Sequence, residues 1–244
     1  IPSWQTMPMI RTRNRPASRA KGAGVPPVVI VEPDEVRALG HLVQVPRQEA
    51  AFAAAKLQPD YWTVFSSEKA QEAAAAAKSA GRTQNLLARI QTEGDTFYRG
   101  HEGGFDAQDI VAVAEQLDAL EGGAFAGITT FPALLFDLET RKVKPTPNLS
   151  TLARAAEALA SAGRGGIEIN APGTTSSAVL GALAEAGATQ CEPGNGLHGT
   201  TPLHAVEDLP EDPAVLADFY KTSPTINEDL AATALWGTQQ AQMR

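Results

Sequence analysis

The chain has 244 residues, of which 43% are hydrophobic and 20% charged, enough for one globular domain with a full core. Its net charge of −8 argues against a nucleic-acid or anionic-membrane surface, and no apolar run reaches the roughly 20 residues of a membrane span. The single cysteine, Cys191, excludes an internal disulfide and fits a reducing compartment. We therefore expect a soluble, cytoplasmic protein.

The first half of the chain alternates short apolar runs with helical patterns. It opens with a weak strand, Ser3–Ile10, and a basic segment that reaches about residue 25. The next strands are predicted at Val28–Glu32, His41–Val45, Trp62–Phe65 and Leu86–Gln91. The spacing of apolar residues and the capping residues predict helices at Pro33–Leu39, Gln48–Leu57 and Ser67–Ala80.

The second half continues the alternation. Strands are predicted at Phe125–Thr129, Ile167–Ile169 and Thr189–Glu192. Apolar stripes predict helices at Ala107–Leu120, Ser150–Ala162 and Ser176–Ala186, and weaker patterns predict helices at Pro213–Tyr220 and Asn227–Trp236. Two polar segments, Thr92–Phe105 and Thr140–Pro147, are expected to be loops.

This order predicts an α/β fold in which about eight parallel strands and their helices close into a (β/α)8, TIM-type barrel. We expect one domain over residues 1–244, with a weak first strand and basic segment at 1–25 and helices at 214–244. Only eight residues separate Glu32 from His41, whereas a parallel crossover usually takes a dozen. The helix there is therefore expected to be stunted, or the barrel distorted.

The stretch from Gly165 to Thr201 combines a strand, a small-residue turn, a helix, a second strand and a glycine-rich turn. In a parallel βαβ unit both turns lie at the carboxyl ends of the strands, where α/β proteins place ligands. Turns rich in glycine and hydroxyl side chains present N–H groups to anions. We therefore expect an anion cradle, with Glu192 pointing at its contents.

Several strings of the sequence, in one order between about Val28 and Pro213, match a single pattern. They are GHLVQVP (Gly40–Pro46), TVFSSEKA (Thr63–Ala70), GR-Q-LLARI (Gly81–Ile90), D-FYRGHEGGF (Asp95–Phe105), GITTFPALLFD (Gly127–Asp137), TPNLSTL (Thr146–Leu152), INAPGTTS (Ile169–Ser176) and EPGNGLHGTTP (Glu192–Pro202). Together they resemble the YhfX-type proteins, alanine-racemase-like members of the fold-type III pyridoxal-phosphate superfamily. The resemblance implies the barrel of an alanine racemase amino-terminal domain, with pyridoxal 5′-phosphate (PLP) at the carboxyl ends of its strands.

The resemblance also implies roles for individual residues. Glu192 corresponds to the position that tunes the ring nitrogen, where alanine racemases have an arginine. Two strand residues, Gln44 and Arg89, are candidates to contact the ring hydroxyl or a substrate carboxylate. The phosphate would be held by the backbone and hydroxyl groups of the two turns, at Thr175, Ser176, Gly194, Asn195 and Gly196.

The chain departs from the family pattern in several places. The lysine that would form the Schiff base falls on Pro8, so PLP is expected to bind non-covalently or through an amine of a ligand. The histidine of Thr-His-Phe-Pro is replaced by Thr130, and the serine of Pro-Ser-x-Thr-Ser by Gly173. The carboxyl-terminal β domain, which supplies the opposing tyrosine across an alanine racemase dimer, is also not found.

Three functions stay open at this point. The first is a PLP-binding barrel with amino-acid racemase (isomerase) chemistry, abstracting the α-carbon proton, in a homodimer whose activity the missing lysine puts in question. The second is a non-catalytic or redesigned barrel that keeps only a phosphate or cofactor pocket. The third is a barrel enzyme acting on a phosphorylated metabolite with Glu192 as acid or base. His198 and His204 match no metal-site spacing, so no metal is predicted.

Overall fold

A computed structural model of the protein describes residues 7–8, 10–11, 37–137, 139–140, 142–173 and 179–191. The predicted strand at residues 28–32, both glycine- and hydroxyl-rich turns beyond Gly173 and Cys191, and the helices predicted after residue 212 lie outside the described residues. No helix in the described part is both long and apolar enough to cross a membrane.

The described strands form one large sheet and one hairpin. The strands of the large sheet are β1 (Met7–Pro8), β2 (Ile10–Arg11), β3 (Arg37–Leu39), β4 (Tyr61–Val64), β5 (Gln84–Gln91), β6 (Phe105–Asp106), β7 (Gly123–Thr129), β10 (Glu168–Asn170) and β11 (Gln190–Cys191). The hairpin pairs β8 (Leu134–Asp137) with β9 (Lys142–Pro145) in antiparallel register.

The helices follow the strands as the sequence patterns predict. A 3₁₀ turn at Arg47–Glu49 leads into α1 (Ala50–Phe52), which continues as a π-helical segment, Ala53–Leu57. The longer helices are α2 (Ser67–Ser79), α3 (Ile110–Asp118) and α4 (Pro147–Ser161), and α5 covers Leu180–Glu185.

The large sheet is a curled barrel sheet with the order β1-β3-β4-β5-β7-β10-β11-β2, and β6 pairs with β5 beside it. From β3 to β11 every neighbouring pair is parallel, which confirms the α/β barrel class with parallel strands. Both ends of the order come from residues 7–11, because β1 pairs with β3 and β2 pairs with β11, each antiparallel. The described part thus contains six parallel strands in one continuous order, with an antiparallel strand at each end of it.

Two element predictions near Gly40 were wrong. Residues 37–39, predicted as the end of a helix, form β3, and residues 41–45, predicted as a strand, form a turn and loop. Gly40 has a φ of +80°, and a Cβ there would lie 2.9 Å from the carbonyl oxygen of Thr63. The chain therefore leaves the sheet at the only residue type that fits this bend, and β3 ends before His41.

The polar segment before α4 also differs from its prediction. Residues 142–145 form β9 and pair with β8, and an ion pair between Asp137 and Lys144, 2.8 Å apart, joins the strands. The hairpin could not be recognised from the sequence because β9 (KVKP) has only one apolar residue.

The strands of the barrel present different chemistry on their two faces. On β5, Leu86, Ala88 and Ile90 are fully buried in the main apolar core, together with Ala70 and Ala73 of α2. The alternate residues of the strand face the barrel interior, where Leu87 packs with Ala38 and Tyr61. Above this small apolar layer, toward the carboxyl ends of the strands, the interior becomes polar.

Candidate active site

A row of four polar residues crosses the barrel interior at the carboxyl ends of four neighbouring strands. Strand register pairs Arg89 with Thr129, Thr129 with Asn170, and Asn170 with Gln190. All four residues are at most 1% exposed. The Asn170 Nδ2 donates to the Thr129 hydroxyl at a distance of 3.0 Å. Buried polar side chains are costly without partners, so a continuous row of them indicates a site that binds a polar group.

Arg89 is the charged member of this row and lies at one end of it. Its Nη2 donates to the carbonyl oxygens of His101 and Phe131, and its guanidinium lies 4.4 Å from the ring centre of Phe65. Its Nε and Nη1 are buried and have no hydrogen-bond partner among the described residues. Burial lowers the pKa of Arg89 to about 10, partly offset by the nearby charge of Glu102, so the group stays a cation at neutral pH.

Further buried polar atoms near these strand ends also lack a hydrogen-bond partner in the part of the chain that the structure describes. They are the hydroxyl of Thr130, which follows β7, and both amide atoms of Gln190. A buried guanidinium whose Nε and Nη1 meet no acceptor among the described residues is expected to attract an anion, because buried donors without partners are costly. The carboxyl edge of the barrel therefore has the chemistry of an anion-binding site.

Aromatic rings surround Phe131 at the mouth of the barrel. The ring centres of His41, Tyr98 and His101 lie 5.4, 5.5 and 6.3 Å from that of Phe131. Burial, reinforced by the charges of Arg89 and His101, lowers the pKa of His41 to about 3. His41 is therefore neutral at physiological pH and contributes no competing positive charge beside Arg89.

The two strand-end residues predicted to contact a ligand differ in their surroundings. Arg89 lies at the end of β5 with free N–H groups. Gln44 lies in the loop after β3, where its Nε2 donates to the carbonyl oxygens of Gly40 and Thr63 and its Oε1 accepts from the Phe65 N–H. Its amide already ties together the ends of β3 and β4, and its contact with a ligand stays a prediction.

The other predicted site residues lie outside the described residues: Thr175, Ser176, Glu192, Gly194, Asn195 and Gly196. The structure does describe the two strands that precede these turns. Strands β10 and β11 are neighbours and run parallel, with Asn170 opposite Gln190, so the segments after Gly173 and Cys191 leave from the same edge of the barrel. Arg89 belongs to that same edge.

The sequence interpretation did not single out Thr129, Asn170 and Gln190. Their common signal is a polar side chain near the carboxyl end of a strand, next in sequence to the apolar residues Ile128, Ile169 and Cys191. In the loop predicted at Thr92–Phe105, the rings of Tyr98 and His101 lie against Phe131.

The comparison with protein families gives a direct match. The model of the alanine racemase amino-terminal domain matches residues 15–202. The chain belongs to this family. The protein YhfX of Escherichia coli (strain K12), described as uncharacterized, is 42% identical over 177 residues, which are 72% of this chain. The matched residues cover 46% of that relative, so the chain corresponds to about half its length.

Solved structures with a similar chain path include two kinds of proteins. PipY of Synechococcus elongatus PCC7942, solved with PLP bound, is 23% identical, with a TM-score of 0.43 over 62% of this chain and 65% of PipY. The alanine racemase of Clostridium difficile 630 is 18% identical, with a TM-score of 0.38 over 55% of this chain and 32% of the racemase.

Proposed function

We propose that this chain binds PLP at the carboxyl edge of its barrel. In this proposal the protein is a cytoplasmic homodimer that acts on a small amino acid by abstracting the proton from its α-carbon. Two facts support the proposal: the chain belongs to the alanine racemase amino-terminal domain family, and Arg89 carries two free N–H groups at the edge where that cofactor would sit. Bound PLP would supply an electron sink for the negative charge that develops at the α-carbon.

The chain's own residues would bind and orient that cofactor. In this proposal Arg89 donates from Nε or Nη1 to the ring hydroxyl or to a substrate carboxylate. Glu192 faces the ring nitrogen, and the turns at Thr175–Ser176 and Gly194–Gly196 hold the phosphate. The rings of Tyr98, His101 and Phe131 shield the mouth from water, which strengthens every charged contact inside.

Non-covalent binding is part of the proposal. β1 has Pro8 at the position where the resemblance expects the lysine. The Nζ of Lys69, at the start of α2, is held by the carbonyl oxygen of Val45 and by Glu72 at 2.7 Å. The anchor of the cofactor would therefore be its phosphate and its contact with Arg89.

A matched pair of variants tests this proposal. Strand β5 has two fully buried polar residues, Gln84 at its start and Arg89 near its end, so Gln84→Met and Arg89→Met remove a polar group from opposite ends of one element. We expect PLP affinity, measured by calorimetric titration, to fall at least tenfold in Arg89→Met and to change less than twofold in Gln84→Met.

Thermal unfolding of both variants would show whether the barrel is intact before the titration. No PLP binding by the folded wild-type chain would overturn the proposal. If a sugar phosphate bound in its place, the barrel would be assigned to a phosphorylated metabolite. If neither bound, a non-catalytic barrel would be favoured.

A further inference from the structure

The start of helix α4 holds both of the loops whose carbonyl groups bind Arg89. The two acceptors of the Arg89 Nη2 are the carbonyl oxygens of His101, in loop 92–104, and of Phe131, in the turn after β7. Neither carbonyl belongs to a regular strand or helix, so something else must fix its direction. Each loop is tied to the first turns of α4 by a buried polar side chain.

Asn148 holds the first loop. It is fully buried, its Oδ1 accepts from the N–H of Thr96 at 2.7 Å, and its Nδ2 donates to the carbonyl oxygen of Thr96 at 3.0 Å. One amide side chain thus pairs with both backbone groups of one loop residue, as a neighbouring strand would. The energy needed to leave these buried groups unpaired makes this contact a strong restraint on the loop.

Thr151 adds a second tie one turn along the helix. Its hydroxyl is buried and donates to the Asp95 Oδ1 at 2.8 Å, while the Asp95 Oδ2 accepts from the N–H of Thr92 at 2.9 Å. The carboxylate of Asp95 therefore joins the start of the loop to α4. Residues 92, 95 and 96 are fixed in this way, five residues or more before His101.

Thr146, the residue before α4, holds the second loop. Its hydroxyl donates to the carbonyl oxygens of Pro132 at 2.6 Å and Ala133 at 3.1 Å, and its N–H donates to Ala133 at 3.0 Å. These contacts immobilise the turn directly after Phe131. The segment TPNLSTL, at residues 146–152, thus has a physical role: three of its polar side chains reach into the two loops.

From these contacts we propose that Asn148, supported by Thr146 and Thr151, is a positioning residue for Arg89. The three side chains fix the loops that carry the carbonyl oxygens of His101 and Phe131. Those oxygens hold Nη2, and this leaves Nε and Nη1 turned toward the ligand. The inference rests on the proposed function and deepens it. It states that the direction of the Arg89 guanidinium is set by side chains that do not themselves contact the ligand.

An experiment without any ligand tests the positioning directly. In Asn148→Ala we expect the Thr96 amide to exchange its hydrogen at least tenfold faster, and the Nε–H signal of Arg89 in a ¹⁵N spectrum to shift. Arg89→Lys, which lacks that signal, identifies it. Asn85→Ala serves as the control, since Asn85 is exposed on the same strand as Arg89, and should leave both readouts unchanged.

Milder variants cover the case in which Asn148→Ala does not fold. Asn148→Asp keeps the acceptor for the Thr96 N–H and removes only the donor, and Thr151→Val keeps the volume and removes only the hydroxyl. An Arg89 signal that stays in place while the Thr96 amide exchanges faster would overturn the inference.

A titration with PLP separates this inference from the proposed function. If wild type binds PLP, Asn148→Ala should bind it about tenfold more weakly, as expected for a misdirected charged hydrogen bond. Equal affinity would overturn the inference alone. A wild-type chain that does not bind PLP would overturn the proposed function, and the Arg89 signal would still decide whether Asn148 positions the guanidinium.

Discussion

Arg89 and His41 show how single residues set the electrostatics of the barrel mouth. Burial lowers the pKa of Arg89 to about 10 and the nearby charge of Glu102 partly offsets this, so the guanidinium stays charged. Burial also lowers the pKa of His41 to about 3, and the charges of Arg89 and His101 add to this shift. At neutral pH, Arg89 is therefore a cation and His41 a neutral imidazole.

The depressed pKa of His41 predicts an effect on stability. The unfolded chain binds a proton at this residue below about pH 6.5, whereas the folded chain binds one only below about pH 3. The contribution of His41 therefore opposes folding progressively as the pH falls from 6.5 to 3, by up to about 1.4 kcal/mol per pH unit.

His41→Phe keeps a ring against Phe131 and removes the titration. Its free energy of unfolding, measured in urea at a series of pH values, should fall less steeply than that of wild type between pH 6.5 and 3. The carboxylates titrate in both proteins, so the difference between the two curves isolates His41. Parallel curves would contradict the low pKa.

At the scale of elements, close contact between neighbouring backbones decides where side chains are tolerated. A Cβ on Gly127 of β7 would lie 1.9 Å from the carbonyl oxygen of Glu168 in β10. A Cβ on Gly173 would lie 2.6 Å from the carbonyl oxygen of Leu134, which explains why the serine that the resemblance expects at position 173 does not fit this turn. Neighbouring backbone therefore lies too close to Gly127 in β7, and to Gly173 in the turn after β10, for either position to take a larger residue.

A pair of glycine substitutions tests this close approach. Gly127→Ala should destabilise the protein by about 2 kcal/mol or more, because backbone atoms must move to admit one methyl group. Gly181→Ala, in α5, meets nothing within 4 Å and should be neutral or stabilising by up to about 1 kcal/mol through helix propensity. Urea denaturation of both variants provides the measurement, and equal stability would show that β7 and β10 are farther apart.

At the scale of the whole molecule, residues 7–11 occupy the two open edges of the sheet. They pair with β3 on one side and β11 on the other, so both outer parallel strands of the described sheet have an antiparallel neighbour. Uncovered strand edges pair readily with other chains. We therefore expect this pairing to act against self-association.

Truncation tests this role. A chain that starts at residue 12 should associate more strongly with rising concentration than the full chain, because β3 and β11 lose their partners. A chain that starts at residue 7 keeps the segment and serves as the control. Size-exclusion chromatography with light scattering measures both, and identical masses at all concentrations would contradict the prediction.

The local patterns of the sequence were sufficient for most of the strands and helices of the described part. Strands such as β5 and helices such as α2 are read correctly because apolar spacing and capping residues act within one element. The turn at Gly40 was missed because its cause is the carbonyl oxygen of Thr63, which lies 23 residues away. Arg89 was found as a strand-end residue, but its unpaired N–H groups could not be foreseen.

The amino-acid sequence alone determines the barrel class, through the order and periodicity of its apolar runs, and the family, through its motif strings; it also predicts a ligand site at the carboxyl edge of the barrel. Only the tertiary structure shows that Asn148 binds the backbone of Thr96, that Thr146 binds the turn after Phe131, and that carbonyl oxygens of both loops accept from Arg89. Such contacts join residues as many as 52 positions apart. No local propensity encodes them, because they exist only once the barrel has brought its strand ends together.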